Sequence, residues 1–216
     1  MDLVIPSGQN LLLFIGAALV LLLIPGPAVL YVVGRSVSQG RKAGIVSVCG
    51  IHTATLIHIL AAALGLSVLV LSSALAFNVV KYAGAAYLVW LGFRKLFGPA
   101  ETPGTNGELT RYSHARLYRD GFLVNLLNPK TALFFLAFLP QFVDVSRGHV
   151  AMQITLLGLL LATLGFCTDS AYALLAGTVG DWLKHSRGYV KFERYGSGLL
   201  FIGLGVAAAV SGTQKK

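Results

Sequence analysis

Residues 10–33 read NLLLFIGAALVLLLIPGPAVLYVV, and residues 121–143 read GFLVNLLNPKTALFFLAFLPQFV. Neither stretch alternates polar with apolar residues, so neither is a membrane barrel strand. A spanning helix needs about 20 apolar residues at about 1.5 Å of rise each, and each stretch is long enough for one crossing. Each is also interrupted, by Ile24-Pro25-Gly26-Pro27 in the first and by Asn128-Pro129-Lys130 in the second. Proline removes a backbone donor and clashes with the preceding turn. Lipid offers no water to the groups thereby freed, so both breaks must face protein or a wet cavity.

The rest of the chain agrees with a bilayer solvent. Of 216 residues, 56% are hydrophobic and 12% charged, and the mean hydropathy is +0.75. A soluble domain carries about 25% charged residues. The net charge of +9 does not point to nucleic acid, because the basic residues sit in short connectors between apolar runs. Cys49 and Cys167 lie inside apolar runs and form neither a disulfide framework nor a metal motif. Asp2 stands where a cleaved signal would be basic.

The sequence predicts an all-α, polytopic membrane protein with six transmembrane helices, forming one domain over residues 1–216. The spans are placed at 10–33, 44–71, 74–97, 121–143, 148–180 and 195–214, with a turn near Ser72-Ser73. A polar cytoplasmic linker, 98–120, separates a three-helix half at 1–97 from another at 121–216. Three spans per half make the two halves inverted in the membrane if they are related, and matched proline breaks are the usual pointer to a transporter site. Twelve Lys and Arg fall in connectors on one side; only Arg147, Lys215 and Lys216 fall on the other. That bias puts both termini outside, at the periplasmic face of a bacterial inner membrane.

Freed carbonyls at such breaks can bind an ammonium, and exposed N–H groups of the next half-helix can bind a carboxylate. An amino-acid zwitterion carries both. The candidate substrate-binding residues are Pro25, Gly26, Pro27, Asn128, Pro129 and Lys130, with Asn125 beside them. Gly26, Pro129 and Asp169 fall at one level, roughly 10–12 Å from the inner boundary. A carboxylate at that depth costs about 2.5–3.5 kcal/mol unless it pairs, meets water or takes up a proton. Asp169 is therefore the candidate proton-coupling residue, or else a structural ion pair with Lys130. His52 and His58, about 120° apart on one helix, do not present themselves to one metal. They read as satisfied or lumen-facing histidines. Gly84, Gly92, Gly198, Gly203 and Gly205 read as close helix contacts. The glycine-rich face of the last span is compatible with a homodimer. No metal or cofactor is called for, and no enzyme motif is present.

The segments IPGPAVLYVVGRSVSQGRKAG, KYAGAAYLVWLG (Lys81–Gly92) and GFLVNLLNPKTALFFLAFLPQF (Gly121–Phe142) resemble the lysine-exporter/homoserine–threonine-exporter (LysE/RhtB) family. The resemblance implies a secondary exporter of amino acids or close derivatives, energised by protons. It places the two family signatures on Pro25–Pro27 and Asn128–Lys130, and the acid of the fifth helix on Asp169. The lone acid tilts the substrate toward a neutral amino acid. Two rival readings are a metal or other cation exporter using Asp169 with His52 and His58, and an intramembrane enzyme acting on lipid.

Overall fold

The computed structural model describes residues 8–66, 74–98 and 111–185, together with isolated residues between 195 and 210. Among the described residues the fold is all helical. It comprises α1 (Gly8–Leu23), α2 (Pro27–Gln39), α3 (Arg41–Ala61), α4 (Ala74–Phe97), α5 (His114–Leu126), α6 (Pro129–Leu133) and α7 (Val150–His185). A π-helical turn, Ala62–Leu66, extends α3. Another, Phe134–Phe138, extends α6 and leads into a 3₁₀ turn, Leu139–Phe142.

Among the described residues, two helices are long and apolar enough to cross a membrane, Arg41–Gly65 and Val150–Ala176. Counting each bent pair as one crossing makes four. The first pair, α1 and α2, turns by 50° at the Pro-Gly-Pro break. The second, α5 and the α6 segment, turns by 47°. The third expected span coincides with α4. The expected turn at Ser72-Ser73 and most of the sixth span lie outside the described residues. The described residues between Tyr195 and Val210 are helical.

Two boundaries differ from expectation. The second span starts at Arg41, directly after α2. Only Gly40 separates the two helices, with φ +90°, a left-handed conformation that favours glycine. The expected linker 98–120 is also shorter at its far end, because α5 begins at His114. The Ser113 hydroxyl accepts from the Arg116 N–H and caps the helix, so a polar stretch is helical here despite its charge.

Helix α3 is central and packs on α2, α5 and α7. In lipid, association rests on close packing rather than on water expulsion, and small residues permit it. The α3–α5 crossing shows this twice. A Cβ on Gly50 would strike the Tyr118 carbonyl, and one on Gly121 would come within 2.6 Å of the Ser47 carbonyl. Gly92 and Gly198 play the expected close-contact role between α4 and the last segment, whereas Gly203 faces open space. An apolar core joins Phe14, Ala18 and Leu21 of α1 to Phe134, Phe135 and Phe138 and to Ile154, Leu157 and Leu161 of α7. At the end opposite Gly40, Gln153 is fully buried and ties down the connector before α7. Its amide donates to the carbonyls of Asp144 and Gly148 and accepts from the Asp144 N–H.

Candidate functional site

Each break leaves named groups without helical partners. Pro25 cannot donate to Leu21 O, and Pro27 cannot donate to Leu23 O. Side chains from distant helices take these places. Lys130 Nζ donates to Leu21 O and to Ile24 O, both at 2.7 Å. Tyr172 donates its hydroxyl to Leu23 O at 3.1 Å. Gly26 is extended and Pro27 opens α2 at the first helical position, where a missing N–H costs nothing.

The second break is built the same way. Asn128 caps α6, its Oδ1 accepting from the Lys130 N–H at 3.0 Å. Asn125 is the knot behind it. Its Nδ2 donates to Ile51 O and Thr55 Oγ1, and its Oδ1 accepts from the Thr131 hydroxyl, all at 2.9 Å. His58 Nε2 lies 3.2 Å from Asn125 O, and its ring stacks on Phe135. Lys130 leaves the second break and ends on the first, so the two broken helices are tied to each other.

Between them lies a cavity of about 70 Å³, room for several waters, since one needs about 10–15 Å³. Gly26, Asn125, Asn128, Lys130 and Asp169 all line it. Ile51, Phe134 and Leu161 are among its apolar walls. Pro25 and Pro27 are not among the lining residues; they create the break and leave the wall to their neighbours. Asp169 is 6% exposed, and its Oδ2 lies 3.0 Å from His52 Nε2.

The model of the LysE type translocator family matches residues 19–212. The chain belongs to that family. Leucine efflux proteins of Salmonella typhimurium (strain LT2) and Salmonella typhi are each 29% identical to it over 196 residues, covering 91% of this chain and 92% of their own. An uncharacterized membrane protein of Vibrio cholerae serotype O1 is 32% identical over 202 residues, covering 93% and 96%. No solved structure matches the chain.

In this LysE type translocator three expectations change. Open carbonyls at the first break were to meet a substrate's ammonium; the ammonium on Leu21 O and Ile24 O is that of Lys130. The Asn125 amide was to assist the substrate; its polar atoms are engaged in holding α3 to the second break. Asp169 was to take Lys130 if it formed a structural pair; its partner is His52. Sequence reading took His52 as a satisfied or lumen-facing histidine, or, in the rival cation reading, grouped it with Asp169 and His58; 117 positions separate it from Asp169. A depth signal was available: His52 lies about eight residues, or about 12 Å, into its expected span, the level of Asp169. The two histidines part company, His52 to Asp169 and His58 to Asn125. Among the described residues no three His, Cys, Asp or Glu side chains gather as metal ligands.

Proposed function

We propose that this translocator is a secondary exporter of amino acids with neutral, apolar side chains, working across the bacterial inner membrane in exchange for protons. The observation that carries the reading is the single cavity shared by two tied helix breaks, one ammonium and one buried carboxylate. A zwitterion matches that set. Its carboxylate faces Lys130 and the Asn128 cap, and its ammonium faces Asp169. Its side chain lies on Ile51, Phe134 and Leu161. Gly26 forms the wall beside Lys130, where an added Cβ would make ordinary contact with Lys130 Cδ at 3.5 Å. Pro25, Pro27 and Pro129 act through the groups they free, and Asn125 holds the second break in place. The leucine efflux names of two relatives support the apolar side chain.

The reading includes six crossings in a 3+3 inverted arrangement, with both termini outside. Its support is charge: Arg35, Arg41, Arg116 and Arg119 gather where α2 ends and α3 and α5 begin. There the Tyr112 ring lies under the guanidiniums of Arg35 and Arg116, at 3.8 and 3.7 Å. That end faces the cytoplasm in this reading. Asp169 exchanges the proton as the halves rock about the cavity. Gly198 is used inside the chain, so a homodimer would form on the Gly203 side of the last segment.

The test is efflux from cells fed leucine-containing dipeptides. Overproducing cells should release leucine faster than empty cells, and Asp169→Asn should abolish the difference. Equal release from both cells, or release of lysine in preference to leucine, would refute the reading.

A further inference from the structure

We infer that the proton-carrying unit of the exporter is the His52–Asp169 pair, seated by Gly165, rather than Asp169 alone. The inference rests on the export reading and deepens it.

An ionised carboxylate accepts hydrogen bonds and donates none. With Asp169 ionised, His52 Nε2, 3.0 Å from Asp169 Oδ2, carries the hydrogen. The other ring nitrogen, Nδ1, is buried and has no hydrogen-bond partner. It is the one position on the ring where a proton can be added while the bond to Asp169 stays intact. The neutral ring leaves the pair with one negative charge, and the protonated ring makes it neutral overall. Histidine changes charge between about pH 5 and 8, the range an outward acid gradient spans.

Helix α7 holds the ring in place. Gly165 stands one turn before Asp169, and a Cβ there would lie 3.0 Å from His52 Cε1. Phe166 meets the ring edge to face, with centroids 5.4 Å apart. Of the other titratable groups on the elements around the pair, those at the two breaks are engaged elsewhere. Lys130 is on Leu21 O and Ile24 O, Tyr172 on Leu23 O, and His58 on Asn125 O. On α2, Tyr31 donates to Leu117 O and Arg35 stacks on Tyr112. Helix α1 has no titratable side chain.

Coupling follows from charge. Facing the cytoplasm, the deprotonated pair holds the substrate's ammonium. Facing the more acid exterior, His52 Nδ1 takes a proton, the pair loses its net charge, and the ammonium is released. The proton leaves to the cytoplasm when the empty cavity faces inward again.

The test uses the purified full chain with leucine as probe. Wild type should lose leucine affinity about tenfold for each pH unit below the pair's midpoint, and leucine binding near that midpoint should release protons. In liposomes, His52→Gln should lose accumulation driven by a pH gradient by a larger factor than it loses leucine–leucine exchange, and the exchange that remains should show a flat pH profile. Gly165→Ala removes no ionisable group, yet it should move the profile to lower pH by displacing the ring from its carboxylate. A wild-type pH profile in either variant, or leucine binding without proton release in wild type, would overturn the inference. NMR of the His52 ring nitrogens in the substrate-free chain should show the hydrogen held on Nε2 in wild type and that preference lost in Asp169→Asn; an unchanged tautomer also overturns it. Failure of wild type to bind leucine counts against the export reading, and the NMR tautomer decides the pair independently.

Discussion

Replacing Lys130 by Met keeps most of the side-chain volume and removes the ammonium. Two carbonyls, Leu21 O and Ile24 O, then lose donors at 2.7 Å. Leu21 O has no helical substitute, because the residue four positions on is Pro25. A hydrogen bond to a charged group contributes about 1.5–3 kcal/mol in soluble proteins. Interhelical bonds measured inside membranes average about 0.6 kcal/mol and reach about 1.7. The membrane values apply here because the unfolded reference also stays in lipid. Two bonds at the upper membrane value give a loss of about 3 kcal/mol. At about 2–4 °C per kcal/mol for a chain of this size, the midpoint of melting should fall by about 6–12 °C. Detergent-solubilised protein heated in steps and read by fluorescence-detected gel filtration would measure this. A thiol-reactive dye would not serve, since Cys49 and Cys167 are both exposed in the fold. Lys42→Met, at an exposed position, controls for loss of charge. Lys130→Arg should recover part of the loss, because a guanidinium can still donate twice. If Lys130→Met melts within about 1 °C of wild type, well inside the predicted shift, the tie between the two breaks carries no weight and the reasoning fails.

Three other outcomes are expected. Gly121→Val puts branched carbon against the Ser47 carbonyl, so α3 and α5 must separate; overpacking of this kind costs about 1–3 kcal/mol, and the folded yield on gel filtration should drop while Gly203→Val behaves as wild type. Gln153→Leu leaves the Asp144 N–H and two carbonyls unanswered at about 1–3 kcal/mol per buried group, so proteolysis between 143 and 149 should speed up without loss of the cavity. The Ser146 hydroxyl, aided by the Ser146 N–H and Arg147, holds the Asp144 carboxyl below its usual range against a smaller opposing effect of desolvation. A carboxyl with a lowered folded pKa stabilises above its unfolded pKa of about 3.9, and that contribution is lost as pH falls through the folded value. Ser146→Ala should therefore melt slightly below wild type near neutral pH and converge with it in strong acid; a constant difference across the range would show that the hydroxyl acts through packing instead.

Much of this molecule was legible in one dimension. Apolar run lengths determined where helices lie, since lipid forces every backbone group into helical bonds. Pro25, Pro27 and Pro129 determined where two of those helices break, since proline cannot donate wherever it is placed. Counting residues at a constant rise put Asp169 level with both breaks, and one cavity is lined by Asp169, Gly26 and Asn128 together. The partners were not legible. That Lys130 reaches back to Leu21 and Ile24, that Tyr172 answers Leu23, and that His52 rather than Lys130 meets Asp169 are matters of which faces adjoin. Facing depends on crossing angles and on close approaches such as Gly50 against Tyr118 and Gly121 against Ser47. Those are properties of two surfaces together, separated here by about seventy positions, and no local stretch of sequence encodes them.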